Sequence, residues 1–529
     1  MPAMKNLIVF SFCFISLFSF AQNDIPTVEI LTVVADDIAQ ELTVTYQLND
    51  TENDDCDIWL KYSIDGGTYF ETVSSEFVSG DVDAGVSPAV ELTLVWNYAE
   101  LGAEITDVHI QLYASDSQDV DIAEMVAQVD ESELLSVLES VVGERHYSAA
   151  PAHLETVRSY ISNAFETAGL QTESHDFTFS GNNMRNIIGR KPGAKAEDIT
   201  FIVDGHFDGV PGSPAADDNG SAVAGVLEAL RILSQYNFEH SIRFIGFDAE
   251  ELGLVGSLRY VQTGIKPYED IQGVLNFEMI GYYSDEENSQ TLPAGFDFLF
   301  PEAAQEVADD DFRGNFLTVV GNVDSNPLLS AYLSASAEFV PELRLISLSV
   351  PGTGTMTPDF RRSDHARFWD ADMEALMLTD AADFRNDNYH TPGDSIGTLN
   401  FEFMKNVVKA TVATLAELAV PIHASSDSAD LSIVLGIDEH HHNFPGEMSV
   451  FPNPSDGLVS IQISNAKQNF RARLEIFDLN GKQVHREILN FSSGASTAIL
   501  DLQALPAGSY ILILNAGEAS RSSSLIIGN

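Results

Sequence analysis

Residues 199–251, "ITFIVDGHFDGVPGSPAADDNGSAVAGVLEALRILSQYNFEHSIRFIGFDAEE", contain the clearest indication of the fold of this chain. The stretch opens with an apolar run that ends in "DGHFD" and closes with a second apolar run that ends in "DAEE". Between them, apolar residues recur at helical spacing and form one stripe. That stripe consists of Val223, Val226, Leu227, Leu230 and Leu233. A strand, a helix and a strand in this order predict a βαβ unit with parallel strands.

The same alternation extends on both sides of this unit. Helical spacing begins near Asp121 with "SELLSVLESVV" and "HLETVRSYISNAFETAGL". A strand "GVLNFEMIGYY", a strand "EALMLTDAADF" and a helix "FEFMKNVVKATVATLAELA" follow, and the pattern ends near Pro421. Residues 121–421 are therefore predicted to form an α/β domain with a mostly parallel central sheet covered by helices.

Both flanks of this domain have a β pattern. Residues 22–120 contain short alternating runs separated by Asp, Asn and Gly turns, which predicts an immunoglobulin- or fibronectin-like β-sandwich. Residues 448–529 predict a second, small β-sandwich. Residues 422–447 are polar and predict a linker. The histidine run of this linker (His440–His442) is interpreted as a solvated segment rather than as a metal site. The Asp-rich turn "NDTENDDCD" of the N-terminal sandwich, residues 49–57, is interpreted in the same way.

The bulk composition excludes several classes of partner. The 529 residues include 80 acidic and 26 basic side chains, a formal net charge of -54. Such a charge repels nucleic acid and anionic membranes. Residues 1–21, with Lys5 before the apolar run Leu7–Phe20, predict a secretory signal peptide, so no membrane insertion is expected of the mature form. Removal of Cys13 leaves Cys56 without a disulfide partner.

Five short segments of the α/β domain place metal-ligand residue types after apolar runs. They are "DGHFDG", "AADDNGS", "DAEELG", "NFEMIG" and "NDNYHTPGDS". Functional groups of open α/β sheets collect beyond the carboxyl ends of the strands, so these side chains are expected to converge in one cleft. Histidines together with several carboxylates suit zinc. The candidates are His206, Asp208, Asp217, Asp218, Glu250, Glu251, Glu278 and His390.

The order of these motifs resembles the co-catalytic zinc exopeptidases of clan MH. These include the bacterial leucyl aminopeptidases and their glutamate carboxypeptidase and transferrin-receptor relatives. "SDHARF", Ser363–Phe368, is also similar to a segment of that family. The resemblance covers residues 121–421 and implies the zinc exopeptidase fold, a hydrolase activity on peptide substrates and two Zn²⁺ per chain.

The resemblance also implies a ligand set. His206 and Glu278 are similar to the ligands of one zinc, and Glu251 and His390 to the ligands of the other. Asp218 is similar to the carboxylate that bridges both ions. Glu278 stands where many relatives have aspartate, so the resemblance is weakest at this position.

Two further carboxylates take roles from the same resemblance. Asp208 is similar to the residue that orients His206, and Glu250 to the general base that accepts a proton from the water activated by the two zincs. Asp364 and His365 are interpreted as structural supports rather than as catalytic groups.

The C-terminal residues resemble a second family. "VFPNPSDG", "IFDLNGKQV", "DLQALPAGSYILIL" and "SSLIIGN" look like the sorting domain of Bacteroidetes type IX secretion substrates. This implies export through the periplasm of a Gram-negative cell, with the type IX machinery as partner, to the cell surface or the medium. A chain ending near Ser425 is expected to fold without this domain.

An aminopeptidase is the leading interpretation, and three others stay open. The same fold supports glutaminyl cyclases, which use one zinc, and carboxypeptidases or dipeptidases. A non-catalytic binding protein of this fold belongs to a different class, and zinc content distinguishes it. The preferred N-terminal residue of the substrate does not follow from the sequence.

Overall fold

A computed structural model of the chain describes residues 23–36, 39–101, 108–431, 445–455, 457–478, 482–516 and 519–528. The predicted signal peptide, residues 1–21, and the histidine run lie outside these ranges. The first described strands are β1 (Thr27–Asp36), β2 (Glu41–Asn49), β3 (Cys56–Ser63), β4 (Glu71–Thr72), β5 (Val78–Gly80), β6 (Asp83–Val86), β7 (Ala89–Asn97) and β8 (Val108–Ser115).

These strands form two sheets packed face to face. One sheet has the order β1-β2-β7-β5, and the other contains β8, β3 and β4, with β6 also paired to β3. Alternate residues of both sheets meet in one core, as the period-2 pattern predicts. Buried members of that core include Leu42, Tyr46, Leu60, Trp96 and Leu112.

The next segment contains all the α-helices that the structure describes and the strands of the main sheet. The helices are α1 (Ile122–Ala127), α2 (Glu131–Val141), α3 (Pro151–Thr167), α4 (Ala222–Leu233), α5 (Val255–Arg259), α6 (Phe296–Leu299), α7 (Pro301–Asp309), α8 (Asn326–Phe339), α9 (His365–Trp369) and α10 (Phe401–Ala419). The strands of the main sheet are β9 (Gln171–Phe179), β10 (Asn182–Lys191), β11 (Ala196–His206), β13 (His240–Phe247), β14 (Asp270–Glu278), β15 (Leu317–Asn322), β16 (Leu345–Val350) and β17 (Ala375–Thr379). Two short strands, β12 (Asn237–Phe238) and β18 (Pro421–Ile422), pair with each other in a separate antiparallel sheet.

The main sheet has eight strands in the order β16-β15-β17-β14-β11-β13-β10-β9. Its central strands β17, β14, β11 and β13 are parallel neighbours, and β15 and β16 also run parallel to each other. The contacts of β15 with β17, β13 with β10 and β10 with β9 are antiparallel. The predicted α/β class with a helix-covered sheet is confirmed, and the sheet is mixed, with its parallel part at the centre.

Helices cover both faces of this sheet. Helices α2, α3, α4, α8 and α10 contribute to the core on one face. Residues from α6, α7 and α9, including Phe296, Val307 and Trp369, contribute to the core on the other. The apolar stripe predicted for α4 is buried along its length, since Val223, Leu227 and the other stripe residues are at most 6% exposed.

The structure corrects the start of the predicted linker, residues 422–447. Strand β19 (Ala424–Leu431) pairs antiparallel with β8 of the N-terminal sandwich. The backbone N–H of Ile30 also donates to the Asp427 carboxylate at 2.8 Å. The segment "ASSDSADL" has few apolar side chains, and backbone pairing holds it as an edge strand. Its sequence is therefore typical of a polar connector. The chain therefore returns to the sandwich after completing the α/β domain.

The sandwich also contacts the α/β domain through buried polar groups. Lys61, which is fully buried, donates to the Gly193 carbonyl at 2.6 Å and pairs with Glu197 at 2.8 Å. The Trp59 indole N–H donates to the Ala194 carbonyl at 2.7 Å. Separating the buried Lys61–Glu197 pair would leave an unpaired buried charge, which is strongly destabilising. These contacts therefore fix the sandwich against the sheet.

A separate β domain follows. Its strands are β20 (Glu447–Phe451), β21 (Leu458–Ala466), β22 (Phe470–Asp478), β23 (Gln483–Phe491), β24 (Gly494–Asp501), β25 (Gly508–Ala516) and β26 (Ala519–Ile527). They form the sheets β20-β21-β24 and β23-β22-β25-β26, which share one apolar core. Within the described ranges, every helix is too short or too polar to cross a bilayer.

Candidate metal centre

The ends of three parallel strands bring the first candidate residues together. His206 is the last residue of β11, and Glu278 is the last residue of β14. In the register of the sheet, His206 lies opposite Phe247, the last residue of β13. Glu250 follows that strand by three residues, so all three side chains reach the same edge of the sheet, as predicted.

Two loops supply the other candidates. Asp218 lies in the turn before α4, and the Asn219 side chain ties this turn to β14 by donating to the Phe277 carbonyl at 3.0 Å. His390 lies in the loop after β17. The Asp394 carboxylate joins the two loops, because it accepts the backbone N–H groups of Asp217 at 2.8 Å and Asp218 at 3.1 Å.

The predicted ligands form two groups that share one residue. In the first group, His206 Nε2 lies 3.4 Å from Asp218 Oδ1 and 3.5 Å from Glu278 Oε2. In the second, His390 Nε2 lies 2.9 Å from Asp218 Oδ2 and 3.2 Å from Glu251 Oε2. The possible ligand atoms of each group lie within 4.8 Å of one another. Asp218 turns one oxygen to each group, which is the arrangement of a bridging carboxylate.

Asp208 supports both halves of this arrangement. Its Oδ1 lies 3.4 Å from Nδ1 of His206. Its two oxygens also accept the backbone N–H groups of Glu250 at 3.0 Å and Glu251 at 3.2 Å. His206 Nδ1 also lies 3.3 Å from the Asp208 backbone carbonyl, so both the carboxylate and the carbonyl of Asp208 face the ring, and the carboxylate fixes the backbone of the glutamate pair.

Crowded charges perturb the acidity of the whole cluster. Burial alone lowers the pKa of His206, but Glu250 and the neighbouring carboxylates raise it well above its ordinary value. Burial likewise opposes the charge on His390, while Asp218 and Glu251 raise its pKa to about 10. Burial raises the pKa of Glu251 to about 7. A divalent cation at this position would offset the carboxylate charges that raise the pKa of the two histidines.

Unpartnered buried atoms show where a cation fits. Within the described residues, His206 Nε2 and Glu251 Oε1 are buried and have no hydrogen-bond partner. Each belongs to a different candidate group. Two imidazole nitrogens with three carboxylates match the ligands that zinc takes in catalytic sites. The residues present therefore fit zinc in both groups.

Glu278 is held by its neighbours. The Ser363 hydroxyl donates to Glu278 Oε2 at 2.8 Å, and the Asn219 amide contacts the same oxygen at 3.3 Å. These bonds fix the Glu278 side chain in the first ligand group. Sequence reasoning missed the roles of Ser363 and Asn219, although both lie inside quoted motifs.

Asp364 and His365 lie behind the site. His365 is fully buried, its Nε2 lies 3.0 Å from the Phe360 carbonyl, and burial lowers its pKa to about 3. Asp364 is fully buried too, and burial raises its pKa to about 7. Neither belongs to the two ligand groups found among the described residues.

A pocket with a mainly apolar lining opens beside Glu278. It crosses the sheet from β14 over β17 and β15 to β16, where Thr379, Thr318 and Ile346 line it. Three strand spacings correspond to about 14 Å. The other lining residues include Phe296, Phe316, Phe360, Met377 and Phe384.

Comparisons with known proteins identify two segments. Residues 186–311 match the model of Peptidase family M28, and residues 449–528 match that of the Secretion system C-terminal sorting domain. The first match contains every candidate ligand except His390, which lies C-terminal to it.

Relatives of the central segment include aminopeptidases. An uncharacterized Escherichia coli K12 protein, YfbL, is 29% identical over 281 residues, which are 50% of this chain and 80% of that protein. Aminopeptidase YwaD of Bacillus subtilis 168 is 33% identical over 168 residues, 31% of this chain and 36% of that protein. Leucine aminopeptidase 1 of Neurospora crassa is 27% identical over 248 residues, 44% and 54% of the two chains. The chain thus spans about half or less of these two aminopeptidases.

Among solved structures, an aminopeptidase from Aneurinibacillus sp. strain AM-1 is similar with a TM-score of 0.44 at 15% identity. The similarity covers 57% of this chain and 97% of that one.

Proposed function

We propose that this chain, which matches Peptidase family M28 over residues 186–311 and the secretion sorting domain over residues 449–528, is an exported di-zinc aminopeptidase and thus a hydrolase of the metallo-exopeptidase type. The observation that carries this proposal is the shared residue Asp218. Its Oδ1 faces His206 and its Oδ2 faces His390, so one carboxylate serves two ligand groups.

In this proposal His206, Glu278 and Asp218 hold one ion, and Asp218, Glu251 and His390 hold the other. Zinc bound there supplies Lewis acidity, which lowers the pKa of water and polarises the peptide carbonyl. Asp208 keeps His206 in the tautomer that presents Nε2 to the ion.

Glu250 is the proposed general base. It is 8% exposed, belongs to neither ligand group, and its Oε2 lies 3.7 Å from His206 Nε2. Burial raises its pKa well above the ordinary value for glutamate. Such a carboxyl group can accept a proton from water and then donate it to the leaving amine.

The apolar cavity beside Glu278 receives the N-terminal side chain of the peptide. Its aromatic wall and its length across three strand spacings suit a large apolar side chain, and a charged side chain would lose its hydration there. We expect Phe, Leu and Met at the substrate N-terminus to be preferred over Asp, Glu and Lys.

The C-terminal β domain directs export in this proposal. A Gram-negative cell needs a second step after the inner membrane, and residues 449–528 supply a sorting signal for it. The proposed partner is the type IX secretion machinery, and the proposed destination is the cell surface or the medium.

A panel of aminoacyl fluorogenic substrates with N-acetylated controls tests the activity. Zinc-dependent hydrolysis of the free-amine substrates and no hydrolysis of the acetylated ones is the expected result. Cleavage of blocked peptides from their C-terminus would identify a carboxypeptidase. Conversion of N-terminal glutamine to pyroglutamate without peptide hydrolysis would identify a glutaminyl cyclase.

A further inference from the structure

A buried arginine lies behind the candidate metal centre and takes no part in the ligand set. Arg145 is in the segment between α2 and α3 and is 0% exposed. Its Nε donates to the Phe207 carbonyl at 2.7 Å, and its Nη2 donates to the Ala215 carbonyl at 2.6 Å. Its Nη1 contacts three more carbonyls at 3.0–3.3 Å, which belong to Val141, Gly143 and Pro214.

These acceptors have a specific place in the chain. Phe207 lies between His206 and Asp208, and Ala215 lies three residues before Asp218. One planar guanidinium therefore holds both ends of the loop that joins a ligand of one group to the shared carboxylate. The Arg145 carbonyl completes this link by accepting the Gly209 N–H at 3.0 Å.

The charge of Arg145 has no close counter-ion. Within the described residues, no carboxylate lies within ion-pairing distance of it, and all its acceptors are neutral carbonyls. Burial lowers the pKa of the Arg145 guanidinium, while Asp218, Asp394, Asp208 and Glu251 act in the opposite direction and favour its charged form. The cation thus offsets part of the repulsion among the carboxylates at the centre.

We propose that Arg145 is a positioning residue of the metal centre, which fixes the separation of the His206 and Asp218 segments and keeps a positive charge beside their carboxylates. This inference rests on the proposed ligand set. Lysine could supply the charge but not the planar donor set, so geometry and charge can be separated by substitution.

The test compares Arg145→Lys with Arg243→Lys. Arg243 is also buried, at 1% exposure, and it pairs with Glu269. It lies four residues before the end of β13, about 13 Å along the strand from the ligand edge. Zinc affinity is measured by competition with a chromophoric chelator, the site geometry by the absorption spectrum of the cobalt-substituted protein, and stability by thermal unfolding.

Arg145→Lys is expected to weaken zinc binding at least ~10-fold, the loss typical of residues that orient ligands, and to alter the cobalt spectrum. Arg243→Lys is expected to lower the Tm with a zinc Kd close to that of the wild type. A zinc Kd and a cobalt spectrum for Arg145→Lys that match the wild type would overturn the inference, whatever the Tm.

A second variant covers the case in which Arg145→Lys does not fold. Gly209→Ala would place a methyl group 3.0 Å from Ala215 Cβ, so the loop would have to shift by a few tenths of an ångström, with no charge and no ligand removed. It is expected to weaken zinc binding in the same direction, and unchanged binding would contradict the proposal. These readouts are independent of peptidase activity, and a wild-type protein that binds no zinc would overturn the ligand set itself and this inference with it.

Discussion

At the scale of single residues, Glu250 and Glu251 are adjacent in sequence but have different surroundings. Glu251 faces His390, whereas Glu250 lies near His206 and outside both ligand groups. Asp208 holds the backbone of both, so the different roles that we propose for them depend on the side chains. Replacing each in turn therefore separates catalysis from metal binding.

Glu250→Gln should lower kcat by at least ~10²–10⁴-fold with zinc content near the wild-type value, because an amide cannot accept the proton. Initial rates and elemental analysis measure both quantities. Glu251→Gln is the matched control and should lose zinc. Near-normal turnover by Glu250→Gln would remove this residue from the mechanism.

Asp218→Ala should deplete both ions, since its two oxygens face different groups. His390→Ala should deplete one ion and leave the other bound. Zinc per chain after dialysis against a weak chelator is the measurement. Two zincs retained by Asp218→Ala would contradict the bridging assignment.

The pH dependence of the metal-free protein follows from its buried carboxyls. Burial raises the pKa of Asp364 and of Asp380 to about 7, from 3.8. Between these values the two folded carboxyl groups bind more protons than the unfolded ones, so the stabilisation that they contribute is fully present below pH ~3.8 and is lost as pH rises to ~7. We expect the Tm of chelator-treated protein to fall from pH 5 to pH 7.5. In the Asp380→Asn variant the Tm should decrease less between pH 5 and pH 7.5. A wild-type Tm that rises over this range would refute the raised pKa values of these carboxyl groups.

At the scale of elements, the features that could be predicted from the sequence are those that follow from the spacing of apolar residues and from the order of the motifs. The βαβ unit, the stripe of α4 and the meeting of His206 with Glu278 follow from apolar runs that end in polar residues. The antiparallel edges of the sheet and strand β19 did not follow. Pairing direction depends on distant partners, and β19 places only small or polar residues and Leu431 in an edge position.

The site was predictable to a similar extent. Histidines and carboxylates at strand ends indicate a metal site in the sequence. By contrast, the described side-chain hydrogen bonds of Arg145 go only to carbonyls, and those of Asp394 come only from backbone N–H groups. Neither role has a spacing rule in the sequence, because the partners come together only after folding.

The apolar cavity is also an element-scale feature, since strands β17, β15 and β16 form its floor. Thr318→Phe should fill its middle, because Thr318 lies between Thr379 and Ile346 across the strands. We expect kcat/KM for Phe and Leu substrates to fall at least ~10-fold relative to an Ala substrate, the scale of a few methylene contacts. An unchanged Phe-to-Ala ratio would show that the side chain binds elsewhere.

At the scale of the whole molecule, the sandwich and the α/β domain are one unit and the C-terminal domain is a separate core. The expected fold of a chain ending near Ser425 needs revision, because that end removes most of β19. A chain ending at residue 431 should bind zinc and cleave aminoacyl substrates, whereas one ending at 423 should be less stable by thermal unfolding. Equal Tm values would show that β19 is dispensable.

Export is tested with the same truncation. In the native host, the chain ending at residue 431 should stay in the periplasm, and the full-length chain should reach the surface or the medium. Cell fractionation with an antibody to the α/β domain measures both. Normal secretion of the truncated chain would mean that residues 449–528 are not the sorting signal.

The return of β19 to β8 also sets an order of events in time. While the chain is being synthesised or threaded across the membrane from its N-terminus, β8 waits as an open edge for more than three hundred residues. His390 precedes β19 in the chain, so β19 can pair with β8 only after every proposed zinc ligand has been synthesised or exported. Pairing of β19 with β8 therefore requires that the whole α/β domain has already been made. A prematurely ended chain keeps β8 as an unpaired edge, by which proteases and chaperones can recognise it.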